Sequence, residues 1–134
     1  MAEKSFKPAK TARGALDSAG WRFDIGIYEY LNEKTPADIE TMSALAEVYT
    51  RSGQLDEGLE IDLKLIELDP NNAIVHYNLA CSYSLLNRLE EALDQLEIAI
   101  QLGYEDAGHL DSDPDFANVK SSPRFRSLLA LIRK

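Results

Sequence analysis

Long apolar runs are missing from this chain of 134 residues, so no stretch offers the ~20 consecutive apolar positions of a membrane-spanning helix. Cysteine is almost absent. Cys81 stands alone, which excludes an internal disulfide framework and suits a reducing compartment. The chain has two histidines, His76 and His109, and no Cys or His pair has the spacing of a metal site. It also lacks a glycine-rich phosphate loop, and Cys81 has no assignable base or orienting group. These gaps predict no catalytic residue, no metal and no cofactor. The opening MAEKSFKPAK carries lysines but no apolar core, so no secretory signal is expected there and the expected location is cytoplasmic.

Positive charge is scarce where most of the chain lies. Residues 39–104 hold twelve acidic side chains against Arg51, Lys64 and Arg88. Residues 1–19 are the reverse, with Lys4, Lys7, Lys10 and Arg13 against Glu3 and Asp17. After Asp115 come five basic residues and no acid. An acidic body repels phosphate backbones, which argues against nucleic acid as a partner. Solvation of exposed helix faces accounts for the same acidity without any partner. Hydrophobic residues make up 45% of the chain, which is ordinary for a folded domain and too many for a disordered one.

What is present is an internal repeat. A shift of 34 residues superimposes Leu45, Ala46, Tyr49, Leu55, Glu57, Leu59, Ile66 and Leu68 on identical residues, from Leu79 to Leu102. Most of the matches are apolar and fall at helical spacing. Breakers sit midway in each copy, Ser52-Gly53 in the first and Asn87 in the second, and Asp69-Pro70-Asn71-Asn72 closes the first copy. The pattern predicts two helix-turn-helix units, residues 39–72 and 73–106.

These units resemble the tetratricopeptide repeat. The first copy reads Met42-x2-Leu45-Ala46-x2-Tyr49, then Gly58, Asp62 and Pro70. The second reads His76-x2-Leu79-Ala80-x2-Tyr83, then Ala92, Leu96 and Tyr104. The resemblance implies an all-α fold of antiparallel helix-turn-helix repeats in a short right-handed superhelix. Three departures stand out: Gly58 for the usual alanine, Asp62 for the aromatic, and no closing proline in the second copy. A buried carboxylate needs a partner, so Asp62 is expected near the surface.

Two repeats fall short of the usual minimum of about three, so flanking pieces must close the stack. Residues 20–35 align with the second helix of a repeat and predict an amino-terminal capping helix with two apolar faces. Trp21, Ile25, Tyr28 and Leu31 form one face, and Phe23, Ile27 and Tyr30 the other. The alternation of Trp21, Phe23, Ile25 and Ile27 also suits a strand. Residues 1–18 read as a flexible tail. Residues 107–134 are the expected carboxy-terminal cap of one domain spanning 19–134.

That cap contains HLDSDPDFANVKSSPRF. Its Asp111, Asp113 and Asp115 alternate as in a calcium loop, but Phe116 and Ser122 replace the glycine and glutamate such a loop needs. A cap-proline grammar fits better. Asp113-Pro114 and Ser122-Pro123 each read as a helix cap followed by proline at the first helical position, with Phe116 and Phe125 facing the last repeat.

In the family that the repeats resemble, first helices line a concave face where peptides or partner helices bind. By register, that face would carry Glu40, Ser43, Glu47 and Arg51 in the first copy. Ile74, Tyr77, Asn78, Cys81 and Leu85 would follow in the second. The chaperone-binding members resemble one another in a basic carboxylate clamp. Here Asn78 is kept, but Ser43 and Glu47 replace clamp residues, so acidic tails are not expected to bind. The expected role is a non-catalytic adaptor for a protein or peptide, with no membrane or nucleic-acid partner. Alternatives are a homodimer paired through the aromatic helix and a secretion-chaperone-like client holder. Self-burial by the tail competes with an open groove around Ile74, Tyr77 and Leu85.

Overall fold

The computed structural model describes residues 18–133. The expected amino-terminal tail lies outside the described residues except for Ser18, where the first helix begins; the side chain of Trp21 lies outside them too. The described residues form seven α-helices, one 3-10 turn and no strand. In order these are α1 (Ser18–Lys34), α2 (Ile39–Arg51), α3 (Leu55–Leu68), α4 (Ala73–Leu85) and α5 (Leu89–Gln101). Then come α6 (Ala107–Ser112), the 3-10 turn (Pro114–Phe116) and α7 (Pro123–Ile132). The fold is all-α, and the ambiguous run from Trp21 to Ile27 is helical.

Local chemistry sets where the helices start and stop. Asp38 accepts from the Thr41 amide at 3.2 Å at the head of α2, and Asn72 accepts from the Ile74 amide at 2.9 Å at the head of α4. The mid-repeat turns both need a left-handed residue. Gly53 has φ 92° and Asn87, 34 positions later, has φ 62°. Both support the same closing bond: the Gln54 amide donates to the Tyr49 carbonyl and the Arg88 amide to the Tyr83 carbonyl, each at 2.8 Å. Asparagine tolerates this conformation better than other side chains, so it can stand where the first copy has glycine.

The chain divides into two compact units, Met1–Leu68 and Asp69–Lys134, just before the stretch at 69–72 that closes the first sequence copy. In the first unit α1 packs on α2 through Ile25 and Val48, flanked by Tyr28 and Tyr49. The Tyr49 hydroxyl donates to the Glu29 carboxylate. Among the described residues the second of the two expected apolar faces of α1 is largely uncovered: Phe23 remains 60% and Tyr30 58% exposed, with Ile27 partly buried between them. Asp62 departs the other way. It is buried, and it does not stand without a partner. It follows Gly58 by one turn on the packed side of α3, so register outweighs polarity there.

In the second unit α4 and α5 form the helix pair, and Phe116, Val119, Phe125, Leu128 and Leu129 complete its core. His76 is buried and used structurally, its two ring nitrogens each 2.7 Å from an oxygen, of the Gln95 side chain and of the Pro70 backbone. Arg124 of α7 reaches α5, donating to Glu97 at 2.8 Å, Asp94 at 2.9 Å and Glu90 at 3.3 Å. Bonds to Glu97 and Asp94 hold its guanidinium pKa above the usual value.

The Gly58 departure has a steric cause. A Cβ at Gly58 would lie 2.6 Å from Thr50 Oγ1 and 3.3 Å from the Ala46 carbonyl. In the second copy the same two positions hold Ala92 and Ser84, both fully buried. Threonine faces glycine in one copy, and the smaller serine stands with alanine in the other. Gly58→Ala is therefore expected to lose stability by about 1–2 kcal/mol through overpacking, despite the roughly 1 kcal/mol helix gain of alanine. Adding Thr50→Ser should make the double variant more stable than Gly58→Ala alone, as read by urea denaturation.

Candidate protein-interaction surface

In the first unit the outward side of α2 carries Glu40, exposed, with Ser43 and Glu47 partly exposed beside it. Residues 40, 43 and 47 lie on one side of the helix at i, i+3 and i+7. Arg51 does not join them as a free cation. It is buried, and its Nε lies 3.2 Å from the Glu47 carboxylate one turn earlier. The pair neutralises part of the expected acidity and leaves Glu40 as the unshielded charge of this surface.

In the second unit the expected row along α4 separates into covered and accessible residues. Ile74 is 53% exposed, and Asn78 and Leu85 are partly exposed. Tyr77 is only 4% exposed and Cys81 is buried, so neither presents the open contact expected of it. The covering element is the carboxy-terminal cap. Tyr77 stacks on Tyr104 at 4.5 Å between centroids and meets the edge of Phe116 at 5.4 Å. Its hydroxyl donates to Asp113 Oδ2 at 2.7 Å. The Asn118 amide donates to the Ser84 carbonyl at 2.8 Å, fastening the cap further along α4. Phe116 and Phe125 do face the repeat, as the cap-proline grammar predicts.

The three alternating aspartates have different surroundings. Asp111 pairs with Arg133 at 3.0 Å and also meets Lys120; the Arg133 bond foremost holds its carboxyl below the usual range. Asp113 caps the 3-10 turn, accepting from the Asp115 amide at 3.0 Å. Asp115 is buried. Cys81, Asp113 and Asp115 bring ligand-capable atoms within 4.8 Å of one another, the one such cluster among the described residues. Both Asp113 oxygens already accept hydrogen bonds, from Tyr77 and from the Asp115 amide, so the cap accounts for this carboxylate without an ion.

Residues 63–94 match the tetratricopeptide repeat family model. The chain carries the tetratricopeptide repeat. The match runs from within α3 through α4 into α5, so it straddles the two 34-residue copies rather than following their phase. Two curated relatives agree. A chloroplastic protein of Arabidopsis thaliana is 34% identical over 84 residues, covering 60% of this chain and 25% of that protein. Interferon-induced protein with tetratricopeptide repeats 2 of Mus musculus is 32% identical over 87 residues, covering 58% of this chain and 18% of that protein. The chain thus spans a quarter or less of these relatives. Tetratricopeptide repeats are protein-interaction modules, and no described helix is long and apolar enough to cross a membrane.

The buried tyrosines make this repeat cap sensitive to alkali. Burial first, then Cys81 and Asp113, pushes the Tyr77 pKa far above its ordinary value, and burial above all pushes Tyr104 up to about 12. Folding therefore favours the protonated phenols. Their stabilisation is whole below pH 10, the unfolded value; the Tyr104 share is lost as pH rises from 10 to about 12, and the Tyr77 share keeps falling beyond it. The urea midpoint should fall across that window, and fall less steeply in Tyr104→Phe. At neutral pH, Tyr77→Phe removes the hydroxyl donor of Asp113 and should cost about 1–3 kcal/mol in the same assay.

Proposed function

We propose that this tetratricopeptide-repeat protein is a non-catalytic adaptor that binds a basic peptide or partner segment on the first-helix face of its repeats. The acidic outward side of α2 carries this reading: Glu40 is exposed, and Ser43 and Glu47 flank it. Opposite charge favours capture and orientation of a Lys- or Arg-bearing segment there. On α4 the accessible Ile74, Asn78 and Leu85 remain available for apolar and amide contacts, while Tyr77 and Cys81 serve the cap. The small apolar area left on α4 suits a short segment better than a long helix.

A photo-crosslinking residue at Ser43 in the full chain tests this directly. Mass spectrometry should recover a protein crosslink from Ser43 that disappears with Glu40→Lys and Glu47→Lys and is absent from a control crosslinker at Lys64. Crosslinks that are equal at both positions, or indifferent to the charge reversals, would overturn the reading.

A second reading, self-association through the outer face of α1, is favoured by the exposure of Phe23 and Tyr30 on one side of that helix. It requires a concentration-dependent dimer in sedimentation equilibrium that Phe23→Ser weakens. A monomer at high micromolar concentration removes it.

A further inference from the structure

One carboxylate on the outward side of α2 is already balanced from inside the fold. Arg51 is only 5% exposed, yet its Nε lies 3.2 Å from Glu47 Oε2, on a side chain that is 37% exposed. Packing holds the buried guanidinium in place, so this pair does not open and close as a fully exposed one does. Glu40 lies seven residues earlier on the same side of the helix. It is exposed, and no described residue forms an ion pair with it.

On the reading that the outward side of α2 binds a basic segment, we propose that Arg51 sets the charge of that segment. The surface takes one basic residue, at Glu40, and a neutral N–H or O–H donor at Glu47. A second cation at Glu47 would stand beside the Arg51 guanidinium, whose repulsion offsets the attraction of the carboxylate. Drawing Glu47 away instead would leave a buried guanidinium short of its counter-charge, which is the costlier outcome. A neutral donor meets neither obstacle. A carboxylate has about four lone-pair sites, so Glu47 can still accept from a hydroxyl or an amide while it faces Arg51.

Spacing turns this charge rule into a pattern. At a rise of about 1.5 Å per residue, Glu40 and Glu47 stand ~10 Å apart along α2. Extended chain covers that distance in about three residues at ~3.3 Å each. The segment therefore reads basic-x-x-donor, where the donor is Ser, Thr, Asn or Gln. Ser43 and Ala44 lie between the two carboxylates. Both are small and partly exposed, so an extended backbone can approach the helix there. One repeat later Ile74, Cys81 and Leu85 stand in place of Glu40, Glu47 and Arg51, so the second copy adds no charge to the pattern.

Selection of short random peptides displayed on phage against the immobilised full chain tests this assignment. Sequencing should show one Lys or Arg enriched, a Ser, Thr, Asn or Gln three residues away, and no enrichment of a second basic residue. For a selected peptide, Glu40→Gln should weaken binding about fivefold. Glu47→Gln, whose amide oxygen still accepts, should change it by less than about twofold. The cation at Glu40 lies ~16 Å from Arg51 along α2, about two screening lengths in physiological salt, so the guanidinium left unbalanced by Glu47→Gln acts on it weakly.

Arg51→Met keeps an apolar stem in the buried site and should shift the selection toward a second basic residue at the donor position. A urea midpoint checks the fold of each variant, and Glu47→Gln decides alone if Arg51→Met does not fold. Two basic residues enriched on the unaltered chain, or equal losses with Glu40→Gln and Glu47→Gln, would overturn the role of Arg51 and leave the adaptor reading standing. Selected peptides that lack a basic residue, or that are indifferent to Glu40→Gln, would overturn the adaptor reading and the role of Arg51 together.

Discussion

Covering one flank of α4 is the constraint on which the second unit depends. A two-helix repeat leaves an apolar side open, and here the flank that neighbours would otherwise meet carries a tyrosine and a thiol. Phe116 supplies the apolar cover, and Asp113 supplies the acceptor that the Tyr77 hydroxyl needs once it leaves water. The two contributions come from residues three apart in one short turn. Asp113 also holds the Asp115 amide, so the same carboxylate that caps the turn locks the turn to the repeat. Arg124 then pins α7 to α5 from the outside, through a network of three carboxylates rather than one exposed pair.

The two copies of the repeat solve the same packing problem with different residues. Gly53 and Asn87 satisfy one left-handed turn, and the Thr50–Gly58 and Ser84–Ala92 positions divide side-chain volume in opposite ways. Such pairs explain why departures from the family pattern at single positions do not disturb the repeat. Close-packed helices respond to the sum of the facing volumes, so a change on one helix is matched on the other.

Charge follows the same logic of partners. Arg51, which the repeat register places on an open face, lies instead against Glu47, and burial makes that pairing necessary rather than optional. What remains open in the first unit is acidic: Glu40 on α2, and Glu29 and Glu33 on α1, are all exposed. The outward side of α2 therefore favours a basic segment, proposed to come from a partner.

Much of the fold is legible in the residues because its signals are local. The 34-residue shift, the left-handed Gly53 and Asn87, and the cap-proline pairs at Asp113-Pro114 and Ser122-Pro123 each depend on neighbours a few positions away. Helix class and turn chemistry follow from such short-range rules. The exposure of individual side chains does not. Tyr77 and Cys81 share a helical side with Ile74, yet Asp113 and Phe116, more than thirty residues later, cover the first two and leave the third in solvent. Among the described residues α1 keeps Phe23 and Tyr30 exposed for the same reason: burial depends on which distant element arrives, and periodicity carries no record of that. The sequence by itself determined an all-helical repeat with a capped end. Only the tertiary structure decided which residues of α4 are covered, because a hydrogen bond and a ring contact from the distant cap settle that question.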